Sequence, residues 1–229
     1  MTLGWRPVVA ALLLTAAACG GGGGGGGDEP GPVAGPGGDA ATARTIVLRE
    51  SDMPAGWRGV VHTEDPAERE RARKLSACLD QPDPETIRSA IVYVPDLNRD
   101  RSQVSAIATV LTTVEDARAD LAGVRGPKYS GCVIAAFNDS VQRQAPDAVL
   151  RDVAAEALSV EAFGDASVGL RITANLVYAD RTDRIVADLV YMVKDRATVS
   201  LTFFSFDQPF PPTLQQSLVS RVGHRIASA

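Results

Sequence analysis

The chain has 229 residues, of which 45% are hydrophobic and 22% charged; this balance excludes disorder along the whole length, and the length suits one domain or two. The formal net charge of −5 argues against a dedicated nucleic-acid binder, which needs a basic face to displace counterions from phosphates. Two His and three Cys leave little material for a zinc or haem site, and no cofactor is expected.

Met1 to Pro7 carries one positive charge, Arg6, and Val8 to Ala18 is an apolar run ending in small residues. The run is too short to span a bilayer, which takes about 20 apolar residues. A charged start, a short apolar middle and an Ala-Ala-Ala exit make residues 1–18 a secretory signal peptide. Cys19 follows. Small residues directly before a Cys resemble the lipobox of bacterial lipoproteins, whose Cys thiol is diacylated and becomes the mature N-terminus. Plain secretion with cleavage at the same bond is the other outcome. Lipidation would attach the protein to the extracytoplasmic face of the cell membrane.

The glycine run Gly20–Gly27 and the Gly/Pro-rich stretch beyond it cannot bury enough apolar surface to offset the entropy of ordering, so residues 19–43 read as a flexible tether. A phosphate loop would need a strand before it, a helix after it and a closing Lys-Ser/Thr pair, none of which is present. Residues 44–229 then form a single body.

Within the body, Pro54 and Gly56 set a tight turn before Trp57, and a short apolar stretch runs through Val61. Asp65-Pro66-Ala67-Glu68 reads as a helix start with an N-cap, Pro in the first turn and Glu behind it; that helix runs to Leu79. Ile91–Val94 and Gln103–Thr112 read as strands around a polar loop, Asp96–Arg101. A second helix begins at Thr113-Val114-Glu115-Asp116 and stops before Gly126-Pro127. Val133, Phe137 and Val141 recur every four residues and place a third helix from near Ser130 to before Pro146. Strict alternation over 167–176 marks a half-buried strand, and short polar turns at 180–183 and 194–196 join it to strands at Ile185–Val193 and Thr198–Phe206. Turns this short connect antiparallel neighbours, which gives a three-strand meander. Leu214, Leu218, Val222 and Ile226 mark a last helix. The expected fold class is α+β, an antiparallel sheet with helices packed on one face.

If Cys19 carries a lipid, Cys78 and Cys132 remain. Export favours a bridge between them, stapling the first helix to the third. Two buried free thiols are the bland alternative. A nucleophilic Cys is the catalytic one, although neither His62 nor His224 lies in a nucleophile motif.

These features together resemble a family. The Cys19 junction, the Gly/Pro/Asp tether, the opening Asp52-Met53-Pro54-Ala55-Gly56-Trp57 and the Cys78 and Cys132 pair are similar to those of actinobacterial lipoproteins with a sensor domain. The extracellular domain of the mycobacterial PknH-type receptor kinases is similar in outline. Gln103 to Cys132 matches its strand, its Ala-containing helix (Thr113 to Gly123) and the Cys after it, and Phe163-Gly164-Asp165-Ala166-Ser167-Val168 matches the approach to its meander. The resemblance implies an extracytoplasmic, non-enzymatic sensor domain without the kinase segment. Those receptor domains look to carry two disulfides and a central cleft, whereas this chain can form one bridge.

No Gly-x-Ser-x-Gly, His-Glu-x-x-His, Cys-x-x-Cys or EF-hand pattern occurs, so no enzyme is expected and no catalytic residue is assigned. Asp96, Asn98 and Asp100 have the first spacings of a calcium loop, but Arg101 stands where Gly is required and no Glu closes it. Glu64 and Asp65, and Asp180 and Asp183, read as loop or cap residues. Phe203, Phe204, Phe206 and Phe210 suit core packing better than a ligand pocket. Two functions remain: a module binding a small molecule or cell-wall fragment between sheet and helices, or an interaction lipoprotein presenting a surface to an envelope protein. An apolar concavity favours the first and a flat exposed apolar patch the second.

Overall fold

The computed structural model describes residues 37–60 and 66–229. The signal peptide, Cys19, the glycine run, Val61, His62, Glu64 and Asp65 lie outside the described residues.

The first element is a helix, α1 (Gly37–Ile46). It starts inside the segment expected to be tether, so the folded body begins before residue 44. Hydropathy hides this helix because its sequence is Gly-Gly-Asp-Ala-Ala-Thr-Ala-Arg-Thr-Ile. Most of its anchors are small or polar: Ala40 and Ala43 are buried, with Ile46 the one large apolar anchor at its end, and Asp39 takes hydrogen bonds from Arg196 at 2.8 and 3.1 Å. Strand β1 (Arg58–Val60) and helices α2 (Pro66–Cys78) and α3 (Pro84–Ile87) follow.

Then come β2 (Arg88–Tyr93), β3 (Asp96–Arg99) and β4 (Ser102–Leu111). β2 and β3 pair with successive parts of the same edge of β4. The expected polar loop at 96–101 is therefore mostly a strand that carries β1 on its far side. Helix α4 (Val114–Arg125) opens on a capping box, in which Thr113 Oγ1 accepts from the Asp116 amide at 3.0 Å and Asp116 accepts from the Thr113 amide at 3.0 Å. Helix α5 (Tyr129–Gln144) buries Val133, Phe137 and Val141 on one stripe, as their spacing requires.

The C-terminal part contains β5 (Val149–Ala157), β6 (Ala166–Val177), β7 (Thr182–Lys194), β8 (Ala197–Phe206) and α6 (Pro212–Ala227). Among the described residues the sheet has eight strands in the order β1-β3-β4-β8-β7-β6-β5, with β2 also on β4, and every strand pair is antiparallel. β6, β7 and β8 are adjacent and form the meander. β5 has no clear alternation because a bulge at Arg151–Ala154, with Asp152 at φ 51°, breaks its period of two.

Helices cover both faces of the sheet, not one. α1 and α6 lie on the face of Val92, Val104, Ala106, Val190, Met192, Val199, Leu201 and Phe203, which join Trp57, Ile46, Leu218 and Ile226 in one continuous core. α5 packs on the opposite face against Ile172, Ala174, Ile185, Ala187 and Phe204, and α4 packs there against Leu111, Tyr191 and Val193. β7 carries the reason: Ile185 to Val193 is nearly all apolar and buried on both sides, the pattern of a strand sandwiched between layers.

The lead-in to the meander is held by backbone shape. Gly164 sits at φ +60°, and a Cβ there would lie 2.5 Å from the Val193 carbonyl oxygen. Asp165 then accepts from the Asp195 amide at 2.7 Å and from Lys194 at 3.1 Å, closing the β7–β8 turn. No helix among the described residues is long and apolar enough to cross a membrane.

Candidate functional site

The α1/α6 face has one continuous core, but apolar packing on the other face is split. Separate clusters form under α5, under α4, and around Ile91, Tyr93 and Ile107. Between them lies a cavity of about 140 Å³. Its floor is the middle of the sheet. Thr198, Ser200 and Thr202 of β8 point to this face, while Val199, Leu201 and Phe203 point to the continuous core. Across the strand pairs, Ser200 lies opposite Ile107 and Tyr191, Thr198 opposite Thr109, and Thr202 opposite Leu189. Small hydroxyl side chains at the centre of a sheet leave a depression that larger residues would fill.

The roof is α2 with its following turn, contributing Ala72, Leu75, Ser76, Leu79 and Gln81; Ile87 and Arg88 close one side and Val124 the other. α2 has little apolar surface of its own to hold it there, since Ala72 is its one buried apolar residue. It is fastened instead. Cys78 is joined to Cys132 of α5, with Cα atoms 5.8 Å apart. Arg73 reaches Asp83 and Glu85 at 3.2 and 3.0 Å. Gln81 donates to the Ala119 and Asp120 carbonyl oxygens of α4 at 3.3 and 3.1 Å.

The polar end of the cavity holds Asp120, Tyr129 and Tyr191. The Tyr191 hydroxyl donates to Asp120 Oδ2 at 2.5 Å. Burial pushes the Asp120 carboxyl above its ordinary range, and hydrogen bonds from Tyr191 and the Gln81 side chain offset only part of that rise. Burial, followed by the nearby Asp120 charge, also pushes both tyrosines up. None of these three residues stands out in the sequence. The available signal was the alternation Thr198-Val199-Ser200-Leu201-Thr202-Phe203, whose polar face lies on a central strand and so cannot be an ordinary wet face.

Other buried acids are matched to arginines. Arg171 grips Asp188 with two bonds of 2.6 and 2.7 Å, and Gln215 adds a third at 2.9 Å. Arg225 does the same for Asp52, at 2.6 Å twice. A second, more open concavity of about 250 Å³ lies beside the Arg171–Asp188 pair, lined also by Leu158, Phe163 and Gln215. The Asp188 carboxylate there is already filled by its protein partners, so the first cavity is the better candidate.

The remaining sequence candidates take structural places. Phe203 and Phe210 pack at 5.1 Å, with Trp57 5.6 Å from Phe210, while Phe204 and Phe206 pack at 5.2 Å on the other face. Asp96 is buried, its carbonyl accepts from the Asn98 side chain at 2.7 Å, and Asp100 occupies an exposed turn at φ 53°. Asp183 receives Arg101 and Arg181 at 3.0 and 3.1 Å. His224 stands edge-on to Phe163 at 5.5 Å, on α6 and so across the sheet from the Ser/Thr face.

No family model matches the chain, and no curated protein matches it. Among solved structures, the extracellular domain of PknH from Mycobacterium tuberculosis is similar over 89% of this chain and 87% of that chain, with 10% identity and a TM-score of 0.37. A likeness of that size assigns neither a ligand nor an activity.

Proposed function

We propose that this protein is an extracytoplasmic lipoprotein, anchored through Cys19, whose body binds a small molecule without transforming it. The cavity between the sheet and α2, α4 and α5 carries the reading: it pairs apolar walls with a few converging polar groups, the usual make-up of a ligand site. Its size supports a ligand, or part of one, about as large as benzene, since an engineered apolar cavity of about 150 Å³ takes up benzene. The Cys78–Cys132 bridge fits an exported domain. The leader and small-residue exit before Cys19 support the anchor, and residues 20–36 supply a spacer. The hydroxyls on the cavity floor have no His or Lys among the described residues lining it, which supports binding over nucleophilic catalysis.

The alternative, an interaction lipoprotein, finds less support. The large apolar side chains exposed among the described residues are Val60 and Val149, on opposite edge strands of the sheet, so they form no patch.

Two measurements test the proposal. Labelling with a palmitate analogue marks the wild type and not Cys19→Ser; equal labelling removes the anchor. Benzyl alcohol gives a saturable calorimetric titration that Ser200→Leu, which fills the cavity, abolishes. An unchanged titration in Ser200→Leu places binding elsewhere.

A further inference from the structure

Resting on the reading of this cavity as a ligand site, we infer that its ligand is a small primary or secondary amine, bound as the ammonium ion against Asp120 with its hydrocarbon body along Leu79, Ile107 and Leu189. Asp188 and Asp52 are buried acids, and each is gripped by an arginine through two short bonds. Asp120 lines a cavity and has only neutral partners, the Tyr191 hydroxyl and the Gln81 side-chain amide. Among the described residues no Lys, Arg or His pairs with it; Arg88, the one cation lining the cavity, is not among its partners. A carboxylate that accepts two hydrogen bonds still keeps acceptor positions open, and here they adjoin a space large enough for a ligand.

The surroundings suit an ammonium ion. Tyr129 and Tyr191 flank Asp120, and aromatic rings beside an acid attract a cation that has shed its water. The Thr198 and Ser200 hydroxyls on the floor can accept from the other N–H groups. The Leu79, Ile107 and Leu189 side chains offer the apolar body a surface that water does not use well. A charge-assisted hydrogen bond to Asp120 is about twice as strong as a neutral one, which is the margin separating an amine from an alcohol of the same shape.

The proton balance gives a second signature. The titratable groups facing Asp120 are Tyr129 from α5 and Tyr191 from β7, with Arg88 at the start of β2; the parts of α2, β4 and β8 that line the cavity contribute none. Burial favours the protonated carboxyl in the empty protein. At a pH below that raised pKa, an ammonium ion entering next to Asp120–COOH displaces the proton to solvent and leaves an ammonium–carboxylate pair; above it the carboxylate is already present. Amine binding therefore releases a proton and tightens with rising pH below the folded-state pKa of Asp120, is level above it, and weakens beyond the pKa of the amine itself.

The test compares benzylamine, benzyl alcohol and toluene by calorimetry on the full chain, near neutral pH. The expected result is benzylamine binding about tenfold more tightly than benzyl alcohol, with that preference shrinking as the pH is lowered through the folded-state pKa of Asp120. Asp120→Asn, which keeps the side-chain volume and an acceptor for Tyr191, should erase that preference while benzyl alcohol binds as before. The wild-type pH dependence does not depend on that variant folding. Benzyl alcohol or toluene binding as tightly as benzylamine would overturn the amine and leave the cavity reading intact. Failure of all three probes would overturn both.

Discussion

Removing the Cys78–Cys132 bridge tests how the roof of the cavity is held. The two residues are 54 positions apart, and in the chain-entropy model a closed loop of that length is worth about 4 kcal/mol at 25 °C. α2 offers little to make up the loss, because it buries one apolar residue, Ala72, and the ion pair of Glu68 with Arg71 at 3.7 Å. The double variant Cys78→Ala/Cys132→Ala should therefore lose most of that figure in a urea titration. With a slope of about 2 kcal/mol per molar urea, the midpoint falls by about 1.5–2 M. Residual structure in the unfolded chain would reduce the loss somewhat. The change should also be local, with α2 amides exchanging hydrogen much faster while the amides of β7 and β8 stay protected to the limit set by global unfolding. A loss below about 1 kcal/mol with α2 still protected would refute the argument that the bridge substitutes for apolar packing.

Phe137 is almost fully buried under α5, and Phe137→Ala should cost about 3–5 kcal/mol in the same titration; a loss under about 1 kcal/mol would mean that the site collapses freely. Gly223 lies against the Phe163 ring, where a Cβ would come within 2.3–2.5 Å of three ring atoms, so Gly223→Ala should destabilise by about 1–3 kcal/mol through overpacking. An unchanged melting temperature would show that the ring gives way at no cost. Burial raises the folded-state pKa of Asp120 above the unfolded value of about 3.9, so the unfolded chain loses its proton first and the wild type loses stability as pH rises from there through the folded-state pKa. Asp120→Asn does not titrate, and its stability relative to wild type should grow over that range; a gap that shrinks with rising pH would mean that the fold stabilises the carboxylate.

Much of the fold was legible because local periodicity and tertiary role agreed. Val133, Phe137 and Val141 marked the buried stripe of α5, and the alternation of 167–176 marked β6. The failures came where local pattern and tertiary role diverged. β5 packs Leu150, Val153 and Ala155, spaced three and two apart because the bulge at Arg151–Ala154 inserts a residue. α1 was absorbed into the glycine-rich tether because up to residue 43 it is held by alanines against the sheet and the Asp39–Arg196 pair, and its one large buried side chain, Ile46, lies beyond that stretch. The apolar run Ile185 to Val193 carried the sign that both faces of the sheet are covered, and a one-sided reading overlooked it. The cavity was the least visible feature. Its residues come from α2, α3, α4, α5, β2, β4, β7 and β8, with no shared motif, and Asp120 reads in sequence as one more acid on a helix.

The central claim is that the space between the Ser/Thr face of β8 and the roof helix admits a ligand. Intermolecular nuclear Overhauser effects between benzyl alcohol and the methyl groups of the oxidised protein test it most directly. The account predicts contacts from the ring protons to Leu79, Ile107 and Leu189, all lost in Ser200→Leu. Contacts only to surface methyls such as those of Val60 and Val149, with none to Leu79, Ile107 or Leu189, would contradict it.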